Sequence, residues 1–136
     1  MKPAMSATEN RGPGYQNHPG YAVDTQAFSA HIVVTAGGQK VADSHHAILL
    51  TETDHSPVYY LPHEDIRFDL LTNVDLSTYC PFKGYASYWC ISAVAGEEPI
   101  VWAYIEPYVE VEDIKGYAAF YGDKVTMRIT ELAPEK

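Results

Sequence analysis

The sequence predicts a mainly β protein: a single compact domain of about eight short, largely antiparallel strands in a barrel- or sandwich-like sheet, with one or two short helical turns. Three observations lead to this prediction. Short β-branched and aromatic runs recur along the chain, turns containing glycine or proline separate them, and helical periodicity is confined to short segments. With 136 residues, the chain is long enough for one domain with a substantial core.

The strand predictions follow these runs in chain order. Residues 32–35 and 40–42 are predicted to form a hairpin across Gly37-Gly38, because glycine adopts the positive φ that tight hairpin turns require. The segment 100–105 is apolar on both faces, as in a central strand. The remaining strands are predicted at 47–51, 58–61 and 84–92, and a final antiparallel pair at 117–121 and 125–130.

Helical turns and chain ends complete the prediction. Pro62 and the acidic residues after it are typical of a helix N-terminus, so a short helix is predicted to end near Thr72. A second turn is predicted at 111–115, whereas 12–20 is too irregular for helix or strand. The domain organisation is then a flexible N-terminal tail at 1–11, a single β domain at 12–131 and a C-terminal tail at 132–136.

Charge and cysteine content restrict the partners and the compartment. Nine Lys and Arg against eighteen Asp and Glu give a net charge of −9, which disfavours nucleic acid and anionic membranes as partners. An extended segment before Cys90 would separate it from Cys80 by roughly 20 Å, too far for a disulfide. Two free thiols, together with no secretory signal at the N-terminus, indicate a cytoplasmic protein. Whether the protein forms a homo-oligomer stays open.

Several short motifs occur in an order that resembles the domain-of-unknown-function 427 family, over about residues 12–131. They are His18-Pro19, Val41-Ala42-Asp43-Ser44, Val58-Tyr59-Tyr60-Leu61-Pro62 with Glu64-Asp65-Ile66, Thr78-Tyr79-Cys80-Pro81-Phe82-Lys83-Gly84, Trp102-Ala103-Tyr104 with Pro107, and Ile114-Lys115-Gly116-Tyr117-Ala118-Ala119-Phe120-Tyr121. The resemblance implies a compact, mainly β fold and almost no biochemistry.

That family is sometimes labelled nucleotidyltransferase-like, and the residues do not support this label. The sequence has no Asp-x-Asp pair to hold Mg²⁺ and no phosphate-binding loop. Relatives tend to carry an arginine after the Asp-Ser step, where this chain has His45-His46. An anion site that used that arginine would be weaker here and dependent on pH.

The turn from Cys80 to Gly84 contains the candidate catalytic residues. Cys80 would be a nucleophile with the Lys83 charge lowering its pKa, and His18 is a third candidate. A purely structural role is favoured, with Cys80 a small buried apolar side chain and Lys83 in solvent, because no histidine base lies nearby in sequence. No metal site or cofactor is predicted, since the chain lacks Cys-x-x-Cys and His-x-x-x-His pairs.

Aromatic residues suggest a ligand pocket. Eleven tyrosines and two tryptophans are many for this length, and tyrosine combines an apolar face with a polar tip that suits planar or sugar-like ligands. The residues predicted to bind a ligand are His18, Asp43, Ser44, Tyr60, Lys83, Tyr88, Trp102 and Tyr104. The alternative is that these aromatics simply fill the core.

Three functions are compatible with these features. The favoured one is a small-molecule-binding module with an aromatic-lined pocket for a polar or planar ligand. The alternatives are a small cytoplasmic enzyme that uses Cys80 and Lys83 or a histidine–carboxylate pair, and a protein-interaction domain without a ligand site. Whether the protein is an enzyme stays open at this point.

Overall fold

The computed structural model describes residues 10–91 and 98–131, which form two antiparallel sheets. A short helix α1 (Pro13–Asn17) precedes the strands, and three 3-10 helices span His63–Asp65, Phe68–Leu70 and Val109–Ile114. The mainly β class is therefore confirmed. The strands are β1 (Val23–Phe28), β2 (Ala30–Ala36), β3 (Gln39–Ser44), β4 (Ala47–Glu52), β5 (Val58–Pro62), β6 (Leu71–Cys80), β7 (Gly84–Ile91), β8 (Val101–Tyr104), β9 (Tyr117–Phe120) and β10 (Thr126–Glu131).

Seven strands form the large sheet in the order β1-β4-β5-β9-β8-β7-β6, and three form the small sheet in the order β10-β2-β3. The predicted hairpin is confirmed as β2–β3, with Gly37 and Gly38 both at positive φ. The segment apolar on both faces becomes β8, which lies between β9 and β7. The predicted strand 84–92 is β7 as far as Ile91, and Ser92 lies outside the described residues.

The sandwich-like form is the one found, and the barrel is wrong. Strands β1 and β6 are the two edges of the large sheet, and they do not pair with each other. The small sheet instead covers one face of the large sheet, with Ile32 and Val34 of β2 in the same buried cluster as Val101 and Phe120. The apolar residues are therefore buried between two packed sheets and not inside a closed barrel.

Alternation along the strands separates two cores. In β8, Val101 and Ala103 join the cluster between the sheets, whereas Trp102 and Tyr104 point to the opposite face of the large sheet. That second face carries its own cluster, which includes Tyr60 and Tyr88. Its tyrosines are the feature from which the candidate site is built.

Neither edge strand of the large sheet was predicted from the sequence. Strand β6 is mostly exposed, and β1 is half exposed with Val23, Ala27 and Phe28 as its apolar residues, so neither strand shows the alternating apolar pattern that identifies a half-buried strand. The short helix predicted to end near Thr72 is instead two 3-10 turns, and β6 already begins at Leu71. The helical spacing in this segment comes from Ile66, which is buried, and from Leu70, which packs against the same core.

The predicted pairing of the last two strands is also wrong. Strand β9 pairs with β5 and β8 in the large sheet, whereas β10 pairs with β2 in the small sheet. Three of the four residues of β9 are buried, which suits a strand between two others, while β10 alternates exposed and half-buried residues. The connection after β9 therefore carries the chain from one sheet to the other.

The N-terminal segment contacts the body of the domain from Asn10 onward. Asn10 donates a side-chain hydrogen bond to the carbonyl of Pro107 (3.2 Å), and the guanidinium of Arg11 lies 3.8 Å from Glu110. The rest of the predicted N-terminal tail and the predicted C-terminal tail at 132–136 lie outside the described residues. None of the described helices is long and apolar enough to cross a membrane.

Helix α1, in a segment predicted to be irregular, packs on the turn between β6 and β7. The amide of Gly14 donates to the carbonyl of Pro81 (3.0 Å), and the hydroxyl of Tyr15 donates to the carbonyl of Phe82 (3.0 Å). A Cβ atom at Gly14 would lie 2.6 Å from the Phe82 ring. The close approach of α1 to this turn therefore requires glycine.

Replacing Gly14 with alanine is expected to lower the free energy of unfolding by about 1–3 kcal/mol, because the new methyl group overlaps the Phe82 ring. Urea denaturation measures this change. Gly20→Ala is the matched control, since no described atom beyond its two chain neighbours lies within 4 Å of the position that its methyl group would take, and its φ is not in the left-handed region. Equal unfolding free energies for the two variants would contradict the proposed packing.

Candidate ligand-binding pocket

A cavity of about 500 Å³ lies on the face of the large sheet that carries Tyr60 and Tyr88. Its volume is within the range of small-molecule sites, about 300–1,000 Å³. Strands β4, β5, β7 and β8, the end of β6 and the turn after it supply the walls. Its aromatic lining residues are Tyr21, Tyr60, Tyr79, Phe82, Tyr88, Trp102, Tyr104 and Tyr121.

An ion pair lies inside this aromatic wall. The Nζ atom of Lys83 is 2.5 Å from Oε1 of Glu52, and each side chain is only 10% exposed. The other carboxylate oxygen of Glu52 accepts a hydrogen bond from the hydroxyl of Tyr21. The expectation that Lys83 would lie in solvent is therefore wrong.

The turn directs Lys83 into the cavity because contacts with residues 106–108 fix the backbone of Lys83 and Gly84. Gly84 has a φ of 115°, and a Cβ atom there would lie 3.2 Å from the carbonyl oxygen of Glu106. The carbonyl of Lys83 accepts a hydrogen bond from the amide of Tyr108 (3.1 Å). The positive φ of Gly84 and this hydrogen bond together support the placement of the lysine.

Electrostatics keep Glu52 ionised. Burial alone would raise the pKa of Glu52, but hydrogen bonds from Lys83 and Tyr21, together with the Lys83 charge, outweigh burial and hold this pKa below its ordinary value. Burial and the hydrogen bond to Glu52 raise the pKa of Tyr21. The site therefore contains a carboxylate, an ammonium group and a neutral phenol.

The tyrosines around this pair are protonated hydrogen-bonding groups. Burial raises the pKa of Tyr104, whose ring centroid lies 5.9 Å from Nζ of Lys83. Burial likewise raises the pKa of Tyr60, whose hydroxyl accepts a hydrogen bond from Nε1 of Trp102 (3.1 Å). The hydroxyl of Tyr104 makes no hydrogen bond within the part of the chain that the structure describes, so it is available to a ligand.

The structure places the predicted catalytic residues in different surroundings. Cys80 is a half-buried free thiol that lines the same cavity as Lys83, and Cys90 is a buried free thiol. His18 does not line the cavity; its ring lies 6.1 Å from that of Phe82. The histidine that does line the cavity is His55, which the sequence did not identify.

Three predicted ligand-binding residues lie outside the cavity: His18, and also Asp43 and Ser44, because β3 belongs to the small sheet. Asp43 binds Nε2 of His31 (2.7 Å) and Nζ of Lys40 (2.8 Å) on the surface. Ser44 is buried and donates a hydrogen bond to Asp65 (2.7 Å). The expected grouping of these two residues with Lys83 is therefore not formed, whereas Tyr60, Tyr88, Trp102 and Tyr104 do line the cavity with Lys83.

Sequence reasoning missed Glu52, which is the partner of Lys83. One signal was available: Glu52 follows Leu50 by two residues in β4, so both side chains point to the same face of the sheet. A carboxylate on the buried face of a strand requires a partner. Nothing in the sequence showed that this partner would be a lysine 31 residues away.

The described residues contain no group of three or more His, Cys, Asp or Glu side chains arranged to hold a metal ion. The side chains that line the cavity offer an ion pair, several phenols, an indole, an imidazole and one thiol.

Replacing Lys83 with methionine is expected to lower the free energy of unfolding at neutral pH by about 3–5 kcal/mol, because Glu52 loses its cation in a largely buried position. Chemical denaturation measures the loss. Lys115→Met is the control, since its exposed ammonium lies 3.8 Å from Glu106, and it should cost less than about 1 kcal/mol. Losses of similar size in both variants would argue against a buried pair.

The pH dependence of stability provides a separate test of Glu52. Because folding lowers the pKa of Glu52, its ionised form stabilises the fold above the unfolded-state pKa, and this stabilisation is lost as the pH falls through the folded-state pKa. The difference in unfolding free energy between the native protein and Glu52→Gln should therefore be largest near neutral pH and decrease below the ordinary pKa of 4.5. A difference that does not change on acidification would contradict the assignment.

Comparison with known proteins identifies the family. The family model described as domain of unknown function (DUF427) matches residues 24–131, which extend from β1 to the end of β10. No curated protein matches the chain. Since the family model covers most of the chain, the protein belongs to the DUF427 family.

Proposed function

We propose that this domain binds a small polar or planar molecule in the aromatic cavity. The observation that carries the proposal is the Lys83–Glu52 ion pair inside that cavity. Burying two charges has a desolvation cost, and apolar residues of similar volume often stabilise a fold as well or better. An ion pair that lines a cavity is therefore more useful for contacting a ligand than for stability alone.

The walls suit such a ligand. Aromatic rings offer flat apolar faces, and the hydroxyl groups at their edges orient a bound molecule. Size alone does not single out this cavity, because another of about 560 Å³ lies beside His45 and His46. The side chain of His46 is 77% exposed there, and that cavity is lined by no buried ion pair among the described residues.

A cytoplasmic location forms part of the proposal. Cys80 and Cys90 are both free thiols, a state that a reducing compartment maintains. An excess of acidic residues supports a small molecule over a nucleic acid as the partner.

A second candidate function is a covalent enzyme, which one observation favours: Cys80 and Lys83 line the same cavity. In this case Cys80 would be the nucleophile, and the aromatic walls would hold its substrate. Cys80→Ser distinguishes the two functions. Both predict that the variant still binds its ligand, but only the enzyme predicts a catalytic turnover that the variant loses.

The binding proposal predicts that Trp102→Ala weakens fragments that bind in the cavity by roughly tenfold, because an aromatic wall and the hydrogen bond to Tyr60 are lost. Fragment screening by ligand-observed NMR, followed by titration, measures this. Tyr85→Ala is the control, since Tyr85 is 65% exposed and does not line the cavity. Fragments that bind Trp102→Ala and the native protein equally would count against this cavity.

A further inference from the structure

We propose that the cavity is selective for neutral, planar compounds that carry a carbonyl oxygen, with cyclic amides as the representative class. This inference rests on the proposed function and names the ligand class for the same site. It follows from the hydrogen-bonding groups left unused in the cavity, their charge balance and the shape of the walls.

The strongest acceptor of the cavity is already engaged. Glu52 accepts from Lys83 through Oε1 and from Tyr21 through its other oxygen. The hydroxyl of Tyr60 likewise accepts from the indole of Trp102. The two contacts to Glu52 occupy about half of the lone-pair sites of its carboxylate, so a ligand that offers only hydrogen-bond donors finds fewer free partners here than one that also accepts.

Donors, in contrast, are left over. The ammonium group of Lys83 has three N–H donors, and Glu52 is its one acceptor among the described residues. Tyr104 adds a hydroxyl without a partner in the same part of the structure, and its pKa, raised by burial, keeps it protonated as a donor. Nζ of Lys83 lies 5.9 Å from the centre of the Tyr104 ring, so the ammonium group and this phenol border the same part of the cavity. A carbonyl oxygen of a ligand can accept from either donor.

Charge balance selects a neutral ligand. Lys83 and Glu52 cancel each other, so a bound anion would lie near the Glu52 carboxylate and a bound cation near the Lys83 ammonium. The net charge of −9 adds to the repulsion of anions over a longer range. Either kind of charged ligand would therefore be repelled by the like charge of the buried pair.

The walls select a flat molecule. The rings of Trp102 and Tyr121 lie with centroids 4.5 Å apart, and Tyr60 contacts Trp102 edge-on at 6.2 Å. All three side chains line the cavity, and aromatic side chains favour stacking or edge contacts with a planar ring. A flat ring with a carbonyl group therefore satisfies the walls and the donors together.

Four matched ring compounds test the ligand class: 2-quinolone, quinoline, quinoline-2-carboxylate and N-methylquinolinium. Each is titrated into the full chain and followed by the chemical shifts of cavity residues. The expected order places 2-quinolone first, with quinoline roughly tenfold weaker because it lacks the carbonyl acceptor. The anion and the cation should both bind more weakly than the quinolone.

Tyr104→Phe tests the donor role without disturbing the fold, because it removes a hydroxyl that has no partner among the described residues. It should weaken 2-quinolone about three- to tenfold and leave quinoline and the unfolding free energy unchanged. Tyr85→Phe, on the surface, should leave all four affinities unchanged.

The outcomes separate the two proposals. The ligand class would be overturned if the carboxylate or the quinolinium bound more tightly than 2-quinolone, or if Tyr104→Phe left the affinity for 2-quinolone unchanged. In either case the cavity would remain a binding site. If none of the four compounds, and no member of a diverse fragment set, shifts the signals of cavity residues, the proposed binding function itself is wrong.

Discussion

The contact between Lys83 and Glu52 joins parts of the large sheet that are far apart in strand order. Glu52 ends β4, Lys83 follows β6, and β5, β9 and β8 lie between β4 and β7. Strands spaced about 4.8 Å apart would place β4 and β7 roughly 19 Å apart in a flat sheet, more than two side chains span. The 2.5 Å contact therefore requires the sheet to bend over one face, and the cavity is the space inside that bend.

The turn that carries Lys83 is held from outside the sheet. The ring of Phe82 stacks on Tyr21 with centroids 4.0 Å apart, and Tyr15 of α1 meets it edge-on at 5.0 Å. Tyr21 also donates to Glu52, so one tyrosine supports both the turn and the ion pair. The N-terminal segment thus helps to form the cavity, although the family model matches only residues 24–131, which begin after it.

Local patterns predicted much of the fold, and long-range pairing explains what they missed. The β2–β3 hairpin and the central position of β8 follow from turn glycines and from burial on both faces. Edge strands β1 and β6 carry polar residues because one side faces solvent, so they have no such pattern. Alternation in β8 places Trp102 and Tyr104 on one face of the sheet, whereas the location of Asp43 depends on the sheet to which β3 belongs, which no local pattern encodes.

The bent sheet and its cavity depend most on a direct interaction between Lys83 and Glu52 inside the domain. A double-mutant cycle tests this interaction, in which the unfolding free energies of the native protein, Lys83→Met, Glu52→Gln and the double variant are compared. Direct interaction predicts a coupling energy of about 1–3 kcal/mol at neutral pH, with the double variant more stable than the sum of the single losses implies. Additive losses would contradict the contact, and with it the bent sheet and the cavity built around it.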